Sequence, residues 1–351
     1  LAGTSRGFPR ERRQTCDHLF HSKDLIHWEY LHPLVEDGFF CTMGDDGACP
    51  NFWPVGNGKH VLVLFSHRTG SRYYVGEYDK KTHKFQIDYH RYFSHNGIIG
   101  QGIGTPTTTM DHKKRNITIF NYHEGFKDQD PQLGLGSGVF SLPLVMKAKD
   151  RFPVNDRPYS ELEALRFNPL KISPAPEVEV LRFNGKKIEN LEVRANQELI
   201  LEEIAGKAIE IKIKMNIHQA REAGFYVLRS PAGEEKTKIS VMNVFHGKFP
   251  DSLLIDTTQS SLRTDLSSRP PENAPLPLRQ DGIVELRIFI DRSMIEVFAD
   301  SQQFAAVRVC PQREDSRGVS IFAKGDRIIL NSLECWQMKA ISPELAFRQG
   351  D

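Results

Sequence analysis

Ile283-Val-Glu-Leu-Arg-Ile-Phe-Ile290 and, after Asp291-Arg292, Ser293-Met-Ile-Glu-Val-Phe-Ala299 are the stretches whose reading decides the fold. Apolar side chains in the first run recur at every second position. That is the repeat of a strand, whose successive side chains point to opposite faces, and not the 3.6-residue repeat of a helix. The same pattern returns in Lys59-His-Val-Leu-Val-Leu-Phe-Ser66, Arg72-Tyr-Tyr-Val-Gly-Glu-Tyr78, Asn116-Ile-Thr-Ile-Phe-Asn121 and Ala208-Ile-Glu-Ile-Lys-Ile-Lys214. Gly, Asp, Asn and Pro punctuate the runs, as strand boundaries require. Long amphipathic stretches are nearly absent, and only short helical turns are expected, around Ser160 to Leu165. The expectation is an all-β protein.

The chain has 351 residues, which suggests roughly two domains at about 150 residues each. Hydrophobic residues make up 39% and charged residues 26%, the composition of a folded protein and not of a disordered one. Forty-six basic residues against 45 acidic ones leave a formal charge of +1. That balance speaks against a nucleic-acid or anionic-membrane partner, which asks for a basic excess. No run of 18 apolar residues occurs, so no helix is expected to span a membrane. Cys16, Cys41, Cys49, Cys310 and Cys335 show no C-x-x-C spacing, so neither a zinc site nor a dense disulfide framework is read. The chain opens on Leu1 with a polar, Arg-rich segment, and we expect it to begin part-way through a longer or processed protein. Compartment stays open, with secretion or the periplasm as candidates, and so does the oligomeric state.

The two halves differ in texture. Residues 15 to about 143 are rich in His, Gly and aromatics, whereas the strands beyond about 177 are longer and more regular. Between them Pro153, Pro158, Pro169, Pro174 and Pro176 mark a connector crossing a surface rather than a strand. A second loop is expected from Thr257 to Gln280. A faint repeat also emerges. Ser22-Lys-Asp-Leu-Ile-His-Trp28 and Tyr78-Asp-Lys-Lys-Thr-His-Lys-Phe85 each place an Asp turn and then an aromatic after a strand. Both resemble the outer hairpin of a four-stranded propeller blade, a unit of ~40–50 residues; a plain β-sandwich is the alternative.

Candidate chemistry centres on Asp45-Asp46-Gly47-Ala48-Cys49-Pro50, followed by Asn51-Phe52-Trp53-Pro54. Adjacent acids before a Gly and a Cys-Pro step read either as a turn entering a pocket-lining strand, with Trp53 as a sugar-stacking platform, or as a capped turn with a core aromatic. The 13 histidines form no H-E-x-x-H, and no metal and no cofactor are expected. Gly100-Gln-Gly-Ile-Gly104 lacks a P-loop Lys and reads as a turn between blades. No G-x-S-x-G occurs, which excludes nucleophile-elbow hydrolases.

These motifs resemble glycoside hydrolase family 32, the family of invertases, levanases, inulinases and fructan exohydrolases. The propeller-like matches are Ser22 to Leu31, Ala48 to Val55 and Tyr74 to Asp79. Ser137-Gly-Val-Phe-Ser-Leu-Pro143 looks like the exit from the propeller and Glu161 to Arg166 like the linker. Leu286 to Ala299 looks like the signature strand pair of the C-terminal sandwich, with Asp315 to Val319 and Trp336 to Met338 in its last strands. The resemblance implies a five-bladed propeller followed by a β-sandwich. It also implies retaining hydrolysis of β-fructofuranosides by a nucleophilic Asp and the acid/base Glu of a Glu-Cys-Pro motif. Retention needs those carboxyls ~5–5.5 Å apart.

The chain departs from the pattern at each acid. It contains no Asn-Asp-Pro-Asn-Gly and no Arg-Asp-Pro, and the Glu of Glu-Cys-Pro is Ala48. We therefore expect a partial propeller over residues 1–145, about three blades with the first ones missing. A linker over 146–176, a sandwich over 177–342 and a tail over 343–351 complete the expected order. Ala48 marks the lost acid/base position, by natural divergence or by exchange, and Asp46, two residues earlier, is a candidate substitute or merely a turn cap. Cys49, Asn51, Trp53 and His67 are the implied substrate contacts. The implied partner is a fructoside or related carbohydrate; a non-catalytic carbohydrate-binding protein is the alternative.

Overall fold

The computed structural model describes residues 2–6, 15–35, 47–66, 69–96, 102–122, 138–150, 152, 167–217, 219–243, 251–266 and 269–341. These form 24 strands and one 3-10 turn, Pro176–Leu181, in five sheets. The chain divides into two compact units. The first is 1–159 with 168–172, and the second is 160–167 with 173–351.

The first unit is part of a β-propeller, made of three antiparallel sheets. The first sheet runs β1 (Ala2–Arg6), β2 (Thr15–His21), β3 (Glu29–Pro33) in that order. The second is a four-stranded meander of β4 (Ala48–Gly56), β5 (Lys59–Ser66), β6 (Gly70–Asp79) and β7 (Lys84–Tyr92). The third holds β8 (Ile103–Met110), β9 (Asn116–Tyr122), β10 (Val139–Phe140), β11 (Leu144–Ala148) and β12 (Leu170–Pro174). Strands β10 and β11 lie on the same edge of β9, as one strand interrupted around Pro143, which has no N–H to donate. The third sheet is thus also a four-layered blade. The first strands of the sheets are neighbours, β1 beside β4 and β4 beside β8, as strands at a propeller hub are.

The Asp repeat has a common structure. Asp24 Oδ1 accepts the N–H of Ile26 at 2.9 Å, and Asp79 Oδ1 accepts that of Lys81 at 2.7 Å. In each case the carboxylate replaces the backbone partner that a tight turn leaves missing. The two turns join β2 to β3 and β6 to β7, the last two strands of their sheets. Between those sheets, Leu34 packs with Leu62, Leu64, Tyr74 and Phe85, all buried.

The second unit is a β-sandwich. Its strands are β13 (Arg182–Val193), β14 (Gln197–Ala205), β15 (Ala208–Asn216), β16 (Glu222–Arg229), β17 (Thr237–Met242), β18 (Ser252–Asp256), β19 (Glu272–Pro275), β20 (Ile283–Asp291), β21 (Met294–Ala299), β22 (Gln303–Arg308), β23 (Gly318–Lys324) and β24 (Ile328–Met338). One sheet is ordered β13-β24-β15-β20-β21-β22, the other β14-β23-β16-β17-β18-β19. The alternation sets the register. Ile209, Ile211 and Ile213 of β15 and Leu286, Ile288 and Ile290 of β20 meet Phe225, Ile239, Leu253 and Ile321 of the opposite sheet in one buried cluster. Each such side chain contributes ~1.5–3 kcal/mol by burial. The opening pair of runs is the β20–β21 hairpin, with Ile288 opposite Val297 and Arg292 at φ +53° in its turn.

Five of the quoted runs lie wholly in strands, and the sixth does so from Met294 on, with Ser293 in the preceding turn. Two expected loops contain strands as well. Leu170 and Ile172 of β12 are buried with Lys171 exposed between them, a period-two pattern hidden by the flanking prolines. Within Thr257 to Gln280, β19 buries Glu272 and Ala274, and Pro275 is tolerated because β19 is an edge strand. The helical turns expected at Ser160 to Leu165 lie outside the described residues.

Candidate active site

Strand β4 carries the sequence on which the chemistry was expected, and its backbone is irregular there. Ala48 pairs with Phe65 and Asn51 with Val63, so β4 holds one more residue than β5 across that step. The extra residue makes a β-bulge at Cys49-Pro50, and Cys49 sits at φ +51°. A β-bulge re-aims the side chains around it, and a non-Gly residue in the left-handed region marks local strain. Ala48 is half-buried and Cys49 exposed, its thiol unpaired.

Asn51 faces the third sheet. Its Nδ2 donates to Cys49 O at 2.8 Å and Pro106 O at 3.2 Å, and its Oδ1 accepts the Thr108 N–H at 3.1 Å. One amide thus closes the bulge and ties β4 to β8. Ser71 adds a second tie, its hydroxyl donating to Gly104 O at 2.5 Å. Trp53 is only 6% exposed, so its ring presents almost no open face. Its opposite neighbour on the strand, Phe52, packs edge-on against Phe85 at 5.0 Å and stacks with His60 at 5.3 Å. Burial pulls the His60 pKa down, and the charge of Lys80 adds to that.

Asp46 and His67 lie outside the described residues. The structure therefore brings Ala48, Cys49, Asn51 and Trp53 together on one strand. The spacing of the motif gave no sign of Pro106 and Thr108, the partners of Asn51, because they come from another sheet. No residue of β4 has a carboxyl group. Among the described residues, no group of three or more His, Cys, Asp or Glu side chains is arranged to hold a metal.

The architecture is a partial propeller followed by a β-sandwich, with a bulged Cys-Pro step on a hub strand. Residues 177–337 match the family described as Glycosyl hydrolases family 32 C terminal, and the chain is a relative of glycoside hydrolase family 32. A levanase of Bacillus subtilis (strain 168) is 31% identical over 356 residues, covering 92% of this chain and 47% of the levanase. The chain thus spans about half the length of that curated relative. Fructan 1-exohydrolase IIa from Cichorium intybus superposes with a TM-score of 0.76 at 17% identity, over 93% of this chain and 67% of that one. Sucrose-6-phosphate hydrolase from Lactobacillus gasseri gives 0.69 at 17% identity, over 95% of this chain and 62% of that one. At such identities the structural likeness shows the fold.

Proposed function

We propose that this chain is part of a family-32-like glycosidase acting on β-fructofuranosides of the sucrose, levan or inulin type, and that the chain itself does not turn them over. The observation that carries this reading is the bulged hub strand β4 with Ala48 at its Ala-Cys-Pro step; the resemblance makes that step the proton donor's position. A methyl group cannot protonate a leaving oxygen, and general acid–base help is typically worth ~10²–10⁴-fold. The double displacement also needs a nucleophilic carboxylate, and the 351 residues contain no Asn-Asp-Pro segment to supply one. The substrate class is supported by the relatives, a levanase and a fructan exohydrolase, the latter also solved in complex with 1-kestose. Cys49 is then the exposed contact on β4, Asn51 acts chiefly through its tie to β8, and the buried Trp53 supports the strand from behind instead of stacking on a sugar, while His67 remains a contact implied by the resemblance alone.

A second reading, carbohydrate binding without turnover, is favoured by the same alanine. The test is hydrolysis of sucrose, inulin and levan by the chain and by the full-length protein of which we propose it is part. Each is compared with its Ala48→Glu and Asp46→Asn forms. Activity gained with Ala48→Glu supports a family-32 site lacking only its acid. Activity in the unaltered full-length protein that Asp46→Asn abolishes shows the acid moved two residues along. Silence in every form, with 1-kestose still bound, establishes the second reading. Neither turnover nor binding rejects both.

A further inference from the structure

The second unit contains a cleft of about 390 Å³ at Gly206, far along the chain from β4 and built of a different chemistry. A side chain at Gly206 would crowd its floor. A Cβ on Gly206 would lie 2.4 Å from Ile209 Cγ2 and 3.0 Å from Gln337 Oε1. The Gly206 N–H donates to Arg317 O at 2.8 Å, which holds the loop carrying Arg317 against the floor. Gln337 is fixed by its Nε2, which donates to Ala205 O at 2.9 Å and leaves Oε1 toward the cleft floor as an acceptor.

Two cations line the same space. Lys207 Nζ meets Glu314 Oε2 at 2.8 Å, but the Glu314 side chain is 97% exposed and is tethered by this contact alone among the described residues. Arg317 makes no side-chain hydrogen bond or ion pair among the described residues. The nearby Asp315 feels its charge but is already held by both nitrogens of the Arg313 fork, at 2.8 and 2.7 Å. An exposed ion pair such as Lys207–Glu314 is worth little and exchanges partners readily. A guanidinium with its donors unengaged suits the planar fork of an oxyanion. The lining thus offers two cationic donors beside two acceptors, the Gln337 Oε1 and the Glu314 carboxylate.

We propose that this cleft binds a small polyhydroxylated anion, a sugar carrying a phosphate or carboxylate. Arg317 and Lys207 take the anionic oxygens, while Gln337 Oε1 and Glu314 accept hydroxyl protons. The inference is independent of the reading of β4.

The test is calorimetric titration of the full chain with fructose 6-phosphate, gluconate, inorganic phosphate and fructose. We expect fructose 6-phosphate or gluconate to bind more tightly than either inorganic phosphate or fructose, and the preferred one identifies the anionic group. Arg317→Gln and, separately, Lys207→Gln should each weaken that binding about tenfold, the loss of one charge-assisted contact. Ala48→Glu should leave it unchanged. Arg317 is exposed, so its loss does not threaten folding, and an unaltered melting temperature confirms it. Binding that ignores both substitutions, fructose binding as well as its phosphate, or no binding of any probe overturns the proposal.

Discussion

Glu235 is fully buried, and its carboxylate gathers four donors from two other segments. The N–H groups of Leu262 and Gln312 reach Oε1 at 2.9 and 2.7 Å, and the Arg313 N–H and Ser316 hydroxyl reach Oε2 at 3.0 and 2.6 Å. Burial pushes its pKa up, but these hydrogen bonds outweigh burial and leave it below the ordinary 4.5. A lowered folded pKa contributes stability that is complete above 4.5 and lost as pH falls through the folded value. Glu235→Gln turns an amide N–H₂ toward N–H donors and should cost about 3 kcal/mol at pH 7, read by urea denaturation. Nothing in Gly233-Glu-Glu-Lys236 distinguishes this carboxylate from a solvated charge run, because its partners come from residues 262 to 316. Asp17 has the opposite sign. Burial raises its pKa from 3.8 to about 7. Its contribution is full below 3.8 and is lost as pH rises through about 7. Asp17→Asn should therefore stabilise the chain at pH 8 by up to about 4 kcal/mol, from roughly three pKa units, seen as a higher melting temperature, and should change little at pH 4.

Strand β16 is central in its sheet, between β23 and β17, and it carries Gly224 opposite Ser240 and Phe322. A Cβ there would lie 2.1 Å from Ile239 O and 2.6 Å from Ser240 Cα, both backbone atoms that cannot swing aside. Gly224→Ala should cost more than about 2 kcal/mol and lower the chain's thermal midpoint. Ile288→Ala, in β20, should cost about 3 kcal/mol by opening a cavity between the sheets, with no change in the strand signal of far-UV circular dichroism. Strand existence was legible from alternation at β20 but not at β16, whose Glu222-Ala-Gly-Phe-Tyr-Val-Leu-Arg229 run is buried without a strict period of two. Among the strands that no quoted run anticipated, β12 and β19 were masked by prolines, whose exclusion from strands is relaxed at a sheet edge or a strand end.

The three sheets of the first unit are open, and open sheets present strand edges that invite association. The two Asp turns sharpen this. Where one carries Lys80 and Lys81, the other carries Leu25 and Ile26, 75% and 76% exposed, with Trp28 and Tyr30 close by at 41% and 50%. We expect the isolated chain to associate in solution, and the Leu25→Lys, Ile26→Lys double variant to associate less, as light scattering on a sizing column would show. A monodisperse monomer for the unaltered chain would sink that expectation. The sequence by itself determined the all-β class and the six principal strands, because alternation is a local property of side chains on a pleated backbone. It also determined the family likeness and the alanine at position 48, which are matters of residue identity. Only the tertiary structure decided that Asn51 ties β4 to β8, that Trp53 is interior, that Glu235 holds loops together and that Arg317 faces a cleft. Each of these depends on partners from distant parts of the chain, and no pattern within one segment encodes which distant backbone group will arrive within 3 Å.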